Sequence, residues 1–176
     1  ESLEELFVNG QDNVILSLPT GVGKSPLNVT LGECFTYLAA NKSDIEAHFG
    51  VRLDIDNGDS FYTTPMKQLR NQLANDEDLQ EHVAMLAARA DYTCGETGSP
   101  CDDCSINKDP EASCMDQAAC TYWNRKMDAM ASPIAALTFA MLIVDNSLPP
   151  ETDEGVPLSF SDRDLVIVDE GHNLEN

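Results

Sequence analysis

Three groups of residues in this chain have types and spacings that could do chemistry. The first is Leu18-Pro19-Thr20-Gly21-Val22-Gly23-Lys24-Ser25. Glycines at 21 and 23 let the backbone curl so that successive N–H groups point inward. That makes a nest for phosphate oxygens, backed by the positive end of a following helix. In this reading Thr20, Gly21, Val22 and Gly23 form the ATP-binding loop, Lys24 reaches the terminal phosphates, and the Ser25 hydroxyl sits on Mg²⁺. Leu18 stands where the strict G-x-x-x-x-G-K-[ST] pattern has its first glycine. A glycine-rich turn entering an ordinary helix is the plainer alternative.

The second group closes the chain. Leu165-Val166-Ile167-Val168 is a β-rich apolar run that delivers Asp169 and Glu170, followed by Gly171 and His172. Carboxylates at the C-terminal end of a parallel strand stand where open α/β sheets bind ligands. Asp169 there would hold Mg²⁺ through its water shell, and Glu170 would orient or deprotonate an attacking water. A strand ending in Asp-Glu says little alone; with a phosphate loop upstream, the two halves complete one ATP site.

The third group is a crowd of cysteines: Cys94, Cys101, Cys104, Cys114 and Cys120, in the pattern C-x6-C-x2-C-x9-C-x5-C. Residues 91–119 are so poor in apolar periodicity that burial cannot fold them, and a staple is needed. In a cytosolic protein the staple is more often a metal than a disulfide. Four thiolates can hold Zn²⁺ or an iron–sulfur cluster, and the spacing alone does not choose between them.

The elements that must position these groups read as an α/β fold. Val14-Ile15-Leu16 is expected as a buried strand feeding the phosphate loop. A helix follows to about Ala40, with Leu27, Leu31, Phe35 and Leu38 on one side and Cys34 as a small core residue. Residues 41–59 are polar, with an Asn57-Gly58 turn and no suggestion of chemistry. Phe61-Tyr62-Thr63-Thr64 is a strand closed by Pro65, and a helix carrying Gln68, Leu69, Gln72 and Leu73 follows. The Thr-Thr-Pro cap would present hydroxyls and N–H groups toward the phosphate-loop edge, either to grip nucleic-acid backbone or simply as a strand-to-helix cap. Leu79, Val83, Leu86 and Ala90 predict a helix with a core stripe. Beyond Cys120, Trp123, Met127 and Met130 predict another, and residues 133–144 supply an apolar run long enough for a buried strand.

Composition bounds the rest. The chain has 176 residues, enough for one α/β domain with a small insertion. No run approaches the roughly 18 uninterrupted apolar residues of a membrane span, and the acidic start lacks a signal peptide's basic region. A cytoplasmic location away from membranes is expected. Acidic residues number 31 against 10 basic ones, a formal charge of −21. Such a surface repels nucleic acid unless concentrated salt screens it, with a Debye length of about 3 Å at 1 M. The low lysine count and acid-rich loops favour a halophile's cytosol.

These residues together resemble a known family. Pro19 to Ser25 and Asp169-Glu170-Gly171-His172 are similar to motifs I and II of superfamily 2 helicases, the second a DEAH-type box with glycine at its third position. Thr63-Thr64-Pro65 with Gln68 and Gln72 resembles motif Ia. A cysteine-rich insertion between them, ending in Cys120-Thr121-Tyr122-Trp123 and followed by Ile134 to Leu142, resembles the XPD/DinG branch, with Thr121 in place of the usual proline.

The resemblance implies a partial RecA-like parallel sheet, with residues 1–90 and 123–176 forming helicase domain 1 and residues 91–122 a metal-cluster insertion. It implies an ATP-dependent DNA helicase, translocating 5′ to 3′ on single-stranded or forked DNA, with ATP, Mg²⁺ and a [4Fe-4S] cluster as cofactors. Lys24 and Glu170 would be catalytic, and Thr63, Thr64, Gln68 and His172 would contact DNA or couple it to the nucleotide. Five cysteines compete for four ligand places. Cys94 and Cys120 match the outer positions, Cys114 fits the short spacing to the last ligand, and Cys101 or Cys104 supplies the other. The sequence stops just after motif II, so motifs III to VI and the second RecA-like domain lie outside it, and the chain as given is expected to bind nucleotide and hydrolyse it poorly. A zinc-stapled nucleotide switch that recruits a partner is the alternative, and a DEAH-type RNA helicase a third reading in which the cysteines have no place.

Overall fold

The computed structural model describes residues 13–15, 17, 23–64, 76–95, 97–103, 120–151, 155 and 157–171. Its centre is a four-stranded sheet of β1 (Ser60–Thr64), β2 (Ala84–Met85), β3 (Ile134–Thr138) and β4 (Leu165–Val168). The spatial order is β2-β3-β1-β4 and every pairing is parallel. All four strands therefore end on one edge, and the chain is an α/β protein.

Helix α1 (Lys24–Ala40) packs on one face of the sheet, and α4 (Thr121–Ala131) and α5 (Phe139–Asn146) on the other. Alternation along the strands sorts the core accordingly. Tyr62, Ile134 and Ala136 meet Val29 of α1, with Ile167 packed alongside. Phe61, Ala135 and Leu137 meet Ala129 of α4 and Leu142 of α5. With both faces covered, β3 reads as an unbroken apolar run.

The buried face of α1 is Val29, Gly32 and Phe35, not the leucine stripe. Leu27, Leu31 and Leu38 flank it half-buried, and Cys34 is exposed rather than a core residue. Gly32 explains the rotation: a Cβ there would lie 2.7 Å from Ser60 Oγ and 2.8 Å from Ile134 Cδ1. The helix approaches the sheet where a side chain is missing, and that close contact fixes which face turns inward.

The polar stretch after α1 contains an unexpected helix, α2 (Lys42–Phe49), ended by Gly50 in the left-handed conformation. The Asn57-Gly58 turn forms as expected. The backbone N–H groups of Asp56, Asn57 and Gly58 all donate to the Asp164 carboxylate, at 2.9, 2.9 and 2.5 Å. This fastens the entry to β1 against the entry to β4.

Three expected elements differ. Leu79, Val83 and Leu86 are buried, but only Leu79 lies on a helical turn, α3 (Glu77–Gln80), while Val83 and Leu86 flank β2. Pairing of Ala84 and Met85 with Ala135 and Ala136 outweighs the local helical pattern. The apolar run 133–144 divides into β3 and α5, because Thr138 accepts the Met141 N–H and caps a new helix. Asn13, Val14, Ile15 and Ser17 form no strand and Ile15 is 94% exposed, while Leu16 lies outside the described residues. A three-residue run gains ladder hydrogen bonds only from a neighbour, and the described sheet ends at β4.

Helix α4 forms where expected, with a different inner face. Trp123, Met127 and Met130 are half-buried, while Lys126 and Ala129 are buried. The Lys126 ammonium lies 2.7 Å from Asp145 of α5 and also donates to the Leu158 carbonyl, so charge pairing draws it inward.

Candidate active site

The C-terminal edge of the sheet gathers side chains from both ends of the chain. Gly23 takes a left-handed conformation (φ 79°) and α1 starts at the next residue, with no side-chain cap and no acidic residue in its first turn. A helix start left in that state suits an external anion. Lys24 Nζ donates to Glu170 Oε1 at 2.8 Å across 146 residues of sequence. Its pKa is raised, first by that hydrogen bond and further by the charges of Glu170 and Asp169.

The turn after β4 aims both carboxylates. Asp169 N–H donates to the Thr63 carbonyl at 2.8 Å, continuing the β1–β4 ladder by one residue. Asp169 is buried at 6% exposure. Its Oδ1 accepts the Glu170 N–H at 2.9 Å, and its Oδ2 accepts the Tyr62 hydroxyl at 2.9 Å. Glu170 is the one non-glycine described with positive φ (54°), a conformation that turns its side chain back toward Lys24. Burial pushes the Tyr62 phenol up to about 12, with Ser25 and Asn28 nearby pulling the other way.

The expected site residues thus divide into three sets. Lys24, Ser25, Asp169 and Glu170 are brought together. Thr63 and Thr64 lie on the neighbouring strand but are buried at 0% and 1% exposure, and the Thr63 hydroxyl donates to the Ile167 carbonyl. The Thr63 hydroxyl thus serves the interior of the sheet in this structure. Thr20, Gly21, Val22, Pro65, Gln68, Gln72 and His172 lie outside the described residues. Sequence reasoning missed Tyr62. The signal for Tyr62 was a tyrosine inside a buried strand, whose hydroxyl must find a partner.

Chemically, the arrangement offers a cation, a hydroxyl and two carboxylates at one helix start. The donor set fits a magnesium nucleotide: oxygen ligands for the metal and an ammonium for phosphate. Asp169 keeps a lone pair on each oxygen after its two hydrogen bonds.

The insertion is described in part. Thr121, at the start of α4, donates its hydroxyl to the Thr93 carbonyl at 2.7 Å and lies 3.8 Å from Cys101 Sγ. Thr93 bridges Pro100, the Cys101 N–H donates to the Tyr92 carbonyl, and Cys120 Sγ accepts the Trp123 N–H at 3.4 Å. The backbone around Cys94, Cys101 and Cys120 therefore converges on Thr121. Cys104 and Cys114 lie outside the described residues, and among the described residues no three His, Cys, Asp or Glu side chains are placed to hold a metal ion. No described helix is long and apolar enough to cross a membrane.

Comparison with protein-family models, with curated proteins and with solved structures finds no match for this chain.

Proposed function

We propose that this chain is the nucleotide-binding part of an ATP-dependent DNA helicase of the iron–sulfur superfamily 2 type, built on a RecA-like sheet. One observation carries the reading: Lys24 and Glu170 meet at 2.8 Å on the C-terminal edge of a parallel sheet. That edge is where strand-end carboxylates and a helix start together bind nucleotide.

The geometry assigns roles to this chain's own groups. Lys24 would exchange Glu170 for phosphate oxygens, and the freed Glu170 carboxylate could then orient water and accept its proton. Ser25 and Asp169 would hold Mg²⁺, which neutralises charge developing on the phosphates. In the insertion, four of Cys94, Cys101, Cys104, Cys114 and Cys120 would hold a cluster that helps part DNA strands. The described thiols of Cys94, Cys101 and Cys120 are not placed to hold a metal ion together in this structure, so this part of the reading rests on the sequence resemblance. The net charge of −21 is reconciled with DNA binding by concentrated salt.

Titration of the 176-residue chain with a fluorescent ATP analogue and Mg²⁺ in about 2 M KCl, where screening is strong, tests the nucleotide site. Binding that falls at least about tenfold in Lys24→Ala is expected, since an ammonium-phosphate pair is lost. Equal binding by both proteins would remove the basis of the reading. Metal content after anaerobic purification tests the insertion. Iron with acid-labile sulfide and absorbance near about 400 nm is expected for a thiolate-bound cluster; colourless stoichiometric zinc would favour a nucleotide-controlled switch.

A further inference from the structure

Tyr62 is the most buried large side chain of the nucleotide edge, at 0% exposure, and its hydroxyl joins two neighbouring strands. From β1 it donates to Asp169 Oδ2, at the end of β4, at 2.9 Å. A phenol has one proton to give, and this bond commits it to Asp169. The second carboxylate oxygen is fixed independently by the Glu170 N–H at 2.9 Å. The Asp169 carboxylate is thereby held by one hydrogen bond on each oxygen.

We infer that Tyr62 is a positioning residue for the metal of the nucleotide site: its hydroxyl, reaching from β1, orients the Asp169 carboxylate at the end of β4. The inference rests on the reading of Asp169 as a Mg²⁺ ligand. It adds a residue outside both motifs that fixes a ligand 107 positions away. Partners that orient metal ligands in this way commonly affect metal affinity by about 10- to 100-fold. A tyrosine whose hydroxyl merely satisfied the core would affect folding and leave metal affinity alone.

Mn²⁺, observed by electron paramagnetic resonance, is the probe, titrated into the 176-residue chain with saturating ADP. Tyr62→Phe keeps the ring and removes only the hydroxyl. The expected result is Mn²⁺ affinity lowered roughly tenfold or more, with ADP affinity in EDTA unchanged within about twofold, because the hydroxyl donates to Asp169, which binds no phosphate. Mn²⁺ affinity equal to the parent overturns the inference and leaves the nucleotide site standing. Failure of the parent chain to bind ADP or Mn²⁺ removes both. If Tyr62→Phe loses its helical circular dichroism, both proteins are titrated again in about 2 M KCl, where screening of surface repulsion favours the compact state; an unchanged Mn²⁺ affinity there overturns the inference.

Discussion

Asp59 shows how a single charge can report on its surroundings. Burial raises its pKa, the nearby Arg163 charge opposes that, and Asp164 adds to it. Desolvation outweighs the attraction, so the fold prefers the neutral acid. The sign follows from linkage: stability contributed by the protonated form is present below the unfolded pKa and is lost as pH rises through the raised folded value. Asp59→Asn should therefore raise the melting temperature at neutral pH, and the advantage should shrink as pH falls through the carboxylate range. A gain independent of pH would contradict the desolvation account. Gly32 gives a second residue-scale test, because a Cβ there meets Ser60 Oγ and Ile134 Cδ1 inside 3 Å. Gly32→Ala should cost about 1–3 kcal/mol in urea denaturation through overpacking, although alanine is the better helix former.

Between elements, buried polar groups do much of the joining. Lys126 of α4 and Asp145 of α5 are paired at 2.7 Å with side chains 5% and 7% exposed, and Asp145 Oδ2 also accepts the Phe160 N–H. The pair locks two helices and the segment leading to β4 on the face opposite α1. Lys126→Ala should cost about 3–5 kcal/mol, since it leaves a buried carboxylate unpaired. Replacing both residues with apolar ones of similar size should cost less than the single change, and a double-mutant cycle by denaturation measures the difference. Arg163 acts similarly just before β4. Its guanidinium donates to the carbonyls of Ala129 and Met130 at the end of α4, and to those of Ser60, Ser132 and Pro133 at the strand entries. It also stacks over Phe61 at 4.9 Å. The strand that carries Asp169 and Glu170 is therefore anchored at its start by Arg163 and Asp164, and its end is free to present carboxylates.

For the whole molecule, the acidic excess sets the working conditions. A formal charge of −21 on 176 residues means that repulsion between surface carboxylates opposes the compact state in dilute buffer. Raising salt from 0.1 to 1 M shortens the Debye length from about 10 to about 3 Å and screens most of that repulsion. The melting temperature should therefore climb with KCl across this range, and a flat or falling profile would count against adaptation to concentrated salt. The Lys24–Glu170 pair, partly shielded at the sheet edge, should persist, because short pairs are screened less than distant charges.

The residues of the candidate site were legible in the sequence because their determinants are local. Gly23-Lys24-Ser25 opens a helix through glycine's backbone freedom, and Asp169-Glu170 ends a strand that apolar β-branched residues make unmistakable. The cysteine spacing predicted a staple and left its metal open, and no group among the described residues is placed to hold one. What tertiary structure alone decided were the choices that depend on neighbours distant in sequence. Residues 79–90 carry a helical pattern, yet Ala84 and Met85 join β3. The run 133–144 reads as one strand, yet Thr138 divides it. Gly32, not the leucines, selects the inner face of α1. Tyr62 became a member of the site only when β4 placed Asp169 beside it, 107 residues along the chain. Periodicity encodes what a segment can bury, whereas the partner that buries it, and the hydrogen bond a buried hydroxyl finally makes, are fixed by packing the sheet.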